Sequence, residues 1–346
     1  MNSSPTRRGA LAATLAATMC AALAACDSSS GGGGDSELNI ALPTGVTSFA
    51  NSDVVVADEL GYFDDVGLTV NITNLRSGSS VTTGVVGGEF EIGGASIEPV
   101  INAAAGGGNL QIIGSYTDRL EVEMVTPEAI ESVEDLRGAA LGIQEIGAFR
   151  EVMTRMVLEG AGMTQSDVSY VSVGSDAYVS ALLQGQISSA VLHPEQRIQA
   201  QQEDETLHGL INLYEVEPDY YYGTYFTSST WLEDNAEAAA AFNEAITRAH
   251  RTMYSDREAV VPIIAEATGM SEDIIDEAWE VYMEDVCAFP VDEGLEVDRL
   301  EYTVQRMEEM ATLAEGVEVD LDEMVDRGPA ETAVENLGPA DERCGG

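Results

Sequence analysis

Between residues 54 and 104 the chain alternates short strand and helix patterns with almost no spacer, and that rhythm limits what it can fold into. Val54 to about Leu60 reads as a helix closed by Gly61. Leu68, Val70 and Ile72 then alternate with Thr69, Asn71 and Thr73, the period of two that a pleated strand needs. Ser77-Gly78-Ser79-Ser80 opens a second helix with hydroxyls able to cap its free N–H groups. Gly87-Gly88 stops it, Phe90 and Ile92 form a short strand, and Gly93-Gly94-Ala95-Ser96 is expected to open a third helix. Strands alternating with helices at this spacing predict an α/β fold, its sheet mostly parallel and covered on both faces. Ligands bind such sheets at the edge where strands hand over to helices, which here is rich in small and hydroxyl residues.

Three segments of this stretch, Glu59-Leu60-Gly61-Tyr62-Phe63, Gly67-Leu68-Thr69-Val70 and Gly88-Glu89-Phe90-Glu91-Ile92-Gly93, resemble one family. It comprises the solute-binding proteins that serve ABC importers of alkanesulfonates, taurine, nitrate and thiamine-pyrimidine precursors. The resemblance runs from about residue 38 to 230. A second block, Glu134-Asp135-Leu136-Arg137-Gly138, continues it at the start of a second lobe. Glu91 stands where the family usually has Asp, Ala139 where it commonly has Lys, and Ser188 where it typically has Asp. The resemblance implies a two-lobe periplasmic binding protein-like fold of type II. Each lobe would be a mostly parallel sheet with helices on both faces, and the ligand cleft would lie between them. Its implied partners are a small-molecule ligand, an ABC permease and its ATPase, with no catalysis and no cofactor.

The expected organisation follows. Residues 1–25 read as a lipoprotein signal peptide, 26–36 as a flexible tether and 37–118 as the first part of lobe 1. Residues 119–221 read as lobe 2, 222–315 as a helical return to lobe 1, and 316–346 as an acidic, partly disordered tail. Arg7-Arg8 gives a basic start, Gly9 to Ala25 is an Ala-rich run short for a membrane span, and Leu23-Ala24-Ala25-Cys26 has the pattern of a bacterial lipobox. The protein is therefore expected to be exported and held on the outer face of the cell membrane by lipid on Cys26. The tether Asp27 to Ser36 spans roughly 18 Å as a flexible coil. With Cys20 lost and Cys26 lipidated, Cys287 and Cys344 remain to pair in an oxidising compartment. The formal charge of −46, with arginine as every base, argues against nucleic acid or an anionic lipid face as partner.

Candidate ligand contacts gather at the strand-to-helix loops, where free N–H groups and helix dipoles favour electron-rich atoms. They are Thr44, Thr47 and Phe49 in the first loop, and Ser79, Ser80 and Ser96 at helix starts. In the second lobe they are Gln144, Glu145, Ser175, Asp176, His193 and Glu195, with Tyr222 in the return segment. Each hydroxyl here can equally be a simple helix cap, and Ser175 with Asp176 is expected to cap its helix. A carboxylate at Glu145 or Glu195 favours an amino group or protonated ring nitrogen over a sulfonate. In the thiamine-pyrimidine branch of the resembling family a glutamate near the place of Glu195 meets the ring. Tyr62, Tyr178 and Tyr220 to Tyr222 are the candidate stacking partners, with core packing as their ordinary alternative. Arg76, Arg119, Arg150 and Arg197 are the arginines placed to neutralise an anion, Arg150 being expected on a solvated first turn. Three scattered histidines make no metal-ligand set. An enzyme on the same two-lobe fold, acting on a small aromatic compound, is the competing class.

Overall fold

The computed structural model describes residues 36–313 and 319–340. The expected signal peptide, Cys26 and Cys344 lie outside the described residues. Cys287 is disulfide-bonded.

The first half of the chain supplies β1 (Ser36–Leu42), α1 (Asp53–Glu59), a single turn α2 (Tyr62–Asp65), β2 (Leu68–Asn74), α3 (Gly78–Val86), β3 (Ile92–Ser96), α4 (Ile97–Ala105) and β4 (Leu110–Ser115). Next come β5 (Glu123–Pro127), β6 (Ala140–Ile143), α5 (Phe149–Gly160), β7 (Ser169–Ser172), α6 (Tyr178–Leu183), β8 (Ser189–Leu192), α7 (Pro194–Glu203), β9 (Leu207–Asn212) and the turn α8 (Leu213–Val216). The chain returns through β10 (Gly223–Ser228) and then runs as α9 (Ser229–Ser255), α10 (Arg257–Thr268), α11 (Glu272–Glu280) with a π turn over Val281–Asp285, α12 (Val297–Glu309), α13 (Leu321–Met324) and α14 (Gly328–Leu337).

Two five-stranded sheets result, in the orders β2-β1-β3-β10-β4 and β7-β6-β8-β5-β9. β1 pairs parallel with β2 and β3, and β6 with β7 and β8. The one strand against the grain is β10 in the first sheet and β5 in the second, antiparallel to both neighbours. Each is the strand formed just after the chain has crossed from the other lobe. The crossings bond to each other, Gly223 N–H to Thr117 O at 2.7 Å and Leu213 N–H to Val122 O at 3.0 Å. Two lobes tied by paired strands are thus the architecture.

Three expectations need correction. Gly93 to Ser96 do not open a helix; they are strand β3, fully buried, and α4 begins at Ile97. The glycines are there for space. A Cβ on Gly93 would lie 2.6 Å from the Phe226 ring, and one on Gly94 3.1 Å from the Tyr225 ring. Ser175 and Asp176 do not cap α6, whose N-cap is Ala177, with no side-chain bond. The acidic tail is partly built into lobe 1. Ala330 and Ala333 of α14 are buried in its packing against α9. Val325 bridges to Ile112 on the edge strand β4.

Gly223 sits where the return crossing meets Tyr116, and a Cβ there would come 2.1 Å from that ring. Gly223→Ala is expected to cost about 2 kcal/mol or more in urea unfolding, as overpacking of a buried contact does. Gly160→Ala, with open space around its Cβ, should stay within about 1 kcal/mol of the parent.

Candidate functional site

A cavity of about 260 Å³ lies where the two lobes' strand-to-helix loops face each other. The β1–α1 loop lends it Thr44, Thr47 and Ser48. The second lobe lends Ser175 and Asp176 ahead of α6, and His193, Glu195 and Gln196 where β8 hands over to α7. Arg150 on the first turn of α5 and Thr268 to Met270 between α10 and α11 complete the wall. The Thr44 hydroxyl is buried without a partner, while Thr47 Oγ1 accepts from Asn74 Nδ2 at 3.3 Å.

Glu195 is 1% exposed. Its Oε1 accepts the Phe49 N–H and its Oε2 the Tyr282 hydroxyl, both at 3.2 Å. Burial pushes its carboxyl above the ordinary range, against the pull of those hydrogen bonds. Behind it lies Glu121, 0% exposed, whose Oε1 is 2.8 Å from His193 Nδ1. Burial first, and the nearby Glu195 second, push Glu121 well above the usual carboxyl value. His193 is driven well below its ordinary value, by burial and then by the Arg150 charge. Both directions favour the uncharged forms of Glu121 and His193, with one proton between Oε1 and Nδ1. An acid held neutral can both donate and accept, which a carboxylate cannot.

Arg150 is buried, not solvated as its helix position suggested. Its guanidinium lies 4.3 Å above the centre of the Tyr178 ring. It donates to Val191 O and, at 2.9 Å, to Gln196 Oε1. Two of its five N–H donors are thus spent inside lobe 2. Gln196 in turn donates to Ser175 O at 3.0 Å, tying the cavity's second wall together.

The lobes touch at their rims. Ser79 Oγ donates to Glu145 Oε1 at 2.5 Å, and Gln144 Nε2 donates to Arg76 O. Those two second-lobe residues meet lobe 1 rather than the cavity. Ser80 is occupied by its own helix start, its N–H on Ser77 Oγ at 3.3 Å. Ser96 ends β3 beside the buried Glu98. Phe49 is fully buried, stacked on Tyr282 with centroids 4.2 Å apart and planes 10° apart. Tyr222 packs 4.2 Å from Phe149 and edge-on to Tyr116 at 5.6 Å.

The other stacking candidates serve the core or surface. Tyr62 donates or accepts with Thr252 Oγ1 under Arg248, Tyr220 donates to Glu98 Oε1, and Tyr221 donates to Gly294 O. Sequence reading missed Glu121 and Tyr116 on the outgoing crossing, and Tyr282 on the π turn. Glu121 alternates with Leu120 and Val122 like any solvent-facing acid, and Tyr282 continues the apolar stripe of Ile275, Ala278 and Trp279. Neither pattern carries a distinguishing signal.

The family model described as NMT1/THI5 like matches residues 49–259, more than half of the chain. A putative binding protein of Brucella abortus is 26% identical over 188 residues. That match spans 53% of this chain and 54% of the relative, so the chain covers about half the length of such relatives. The fold is shared with a ligand-binding component of an ABC-type import system from Staphylococcus aureus, solved with zinc bound. Its TM-score is 0.73 at 12% identity, covering 86% of this chain and 99% of that one. It is shared too with the alkanesulfonate-binding protein SsuA from Xanthomonas axonopodis pv. citri bound to MOPS. There the TM-score is 0.69 at 17% identity, over 84% and 98% of the two chains.

A carboxyl raised by folding gives stability that is full below its unfolded value of 4.5 and is lost as pH climbs toward the folded value. Glu121→Gln keeps a donor for His193 and cannot ionise. Relative to the parent it is expected to be more stable at about pH 8 than at about pH 5 in urea unfolding. Equal differences at the two pH values would mean that Glu121 is not neutral in the folded protein.

Proposed function

The chain belongs to the NMT1/THI5-like family, and from that premise we propose that it is the substrate-binding component of an ABC importer. It captures a small molecule between its lobes and delivers it to a membrane permease. We place it outside the cell, anchored by lipid on Cys26, with the cleft turned to the surrounding medium. The ligand class we propose is a neutral or cationic nitrogen heterocycle, of which an aminopyrimidine is the model.

One observation carries the ligand class: the cavity wall presents a buried Glu195 backed by Glu121, while its arginine is committed to Val191, Gln196 and Tyr178. An anion entering this space would face two acids, and the Arg150 guanidinium that could offset its lost hydration already donates to Val191 O and Gln196 Oε1. An aminopyrimidine offers the reverse: an exocyclic donor and ring acceptors for Glu195, His193 and the hydroxyls of Thr44 and Ser175. Hinge closure over such a ligand desolvates it and changes the surface shown to the permease. The rim bonds Ser79–Glu145 and Gln144–Arg76 support a closed form of this kind.

The test is thermal unfolding of the protein against pyrimidines, sulfonates, taurine and nitrate. A true ligand at a hundred times its dissociation constant adds about 2.7 kcal/mol. The largest shift is expected from an aminopyrimidine; a response to sulfonates with silence from heterocycles would reverse the ligand class. Glu195→Ala should weaken binding by tenfold or more, about 1.4 kcal/mol, while the exposed Glu205→Ala should not. Chemical conversion of the bound compound would overturn the receptor reading in favour of an enzyme.

A further inference from the structure

The site has a third contributor besides the two lobes' loops. Tyr282 comes from the π turn after α11, beyond residue 259 where the family model's match ends. A π turn carries one more residue per hydrogen-bonded loop than an α-helix and re-aims the side chains on it, which is why such turns gather at functional sites. Here Val286 N–H bonds to Val281 O at 3.0 Å, and Tyr282 is turned inward, 0% exposed. Its ring is fixed on Phe49 at 4.2 Å and lies 5.9 Å from Phe289. Its hydroxyl meets Glu195 Oε2 at 3.2 Å and lies beside Glu121. α11 also packs against α7, the helix that carries Glu195.

We infer that Tyr282 is a positioning residue for the cavity's acid wall, holding the Glu195 carboxyl in the orientation a ligand meets while its ring packs on the buried Phe49 whose N–H bonds the same carboxyl. The inference rests on the reading of this cavity as a solute site. A phenol has one proton to give. Donated to Glu195, it joins the Phe49 N–H in fixing both oxygens of that carboxyl. Glu121 is left to turn its own proton toward His193. The order Phe49–Glu195–Tyr282 thus links lobe 1, lobe 2 and the C-terminal helices through one carboxyl. Opening the cleft by moving α7 away from the first lobe must break the Phe49 or the Tyr282 bond to Glu195.

Tyr282→Phe keeps the ring stacked and removes only the hydroxyl, so it separates positioning from packing. Two measurements read it. The first needs no ligand: infrared spectra of parent and variant, with the Glu195 carboxyl band assigned as the one that Glu195→Gln removes. In Tyr282→Phe that band is expected to shift, and the pH at which Glu195 ionises to rise. A band unmoved in frequency and in pH midpoint overturns the inference. The second is affinity for 4-aminopyrimidine, expected to fall about tenfold, the loss of one hydrogen bond to a charged or strongly polar group. Tyr302→Phe removes a hydroxyl bonded to Glu217, away from the cavity, and should keep the parental affinity. An affinity loss shared equally by both variants would mark Tyr282 as merely structural. Failure of 4-aminopyrimidine to bind even the parent would count against the proposed ligand alone, since the infrared result judges Tyr282 independently.

Discussion

Two segments cross between the sheets, and they are hydrogen-bonded to one another as well as to the strands they become. That pairing decides which side chains can reach the space between the lobes. The outgoing crossing is irregular, with bends at Asp118 and Arg119 between β4 and β5. On the outgoing crossing Leu120 and Val122 are sunk into the apolar core, and Glu121 falls on the other side, with His193. On the return crossing Tyr222 packs against Phe149 of the second lobe and Tyr116 of the first crossing. The loops line the cavity, and the crossings stand behind them, Glu121 bonding His193 and Tyr222 packing on Phe149.

Placing carboxyl groups there is costly. An ionised carboxylate taken from water without compensation costs several kcal/mol or more, and neutralisation is the ordinary escape. The structure uses that escape for Glu121, with His193 to accept its proton. Glu195 is treated differently, receiving two donors from different parts of the chain. A core built only for stability would fill this space with apolar groups. Two acids, an imidazole and a guanidinium are instead kept within one junction, which suits the solute site proposed here.

Local order was legible in the sequence; the junction was not. The alternation at Leu68 to Thr73 is strand β2, and Ser77 caps α3 as its hydroxyl suggested, by accepting from Ser80 N–H. Six of the residues singled out in advance, Thr44, Thr47, Ser175, Asp176, His193 and Glu195, line the cavity. Reading failed where a residue's role was set by something distant in the chain. Gly93 and Gly94 looked like a break because the aromatic rings of β10 that demand their small size lie well over a hundred residues later. Arg150 looked solvated because the Tyr178 ring and the Val191 carbonyl that bury it belong to other elements. The acidic tail looked detached because the short apolar face of α14 finds its partner only on α9.

The same logic bears on selectivity. A receptor for sulfonate or nitrate needs donors aimed at an anion, and several converging N–H groups or a free guanidinium would provide them. Here the Phe49 N–H is bound to Glu195, and Arg150 is bound within lobe 2. For an anion to take over those particular donors, the bonds would have to be broken, leaving Glu195, Val191 O and Gln196 Oε1 without them. For a heterocycle bearing an amino group the same acids become partners, since a group held near neutrality can exchange a donor role for an acceptor role as the ligand requires. On the proposed reading, the buried acids and the loop residues around them together set the class of solute that a closed cleft accepts.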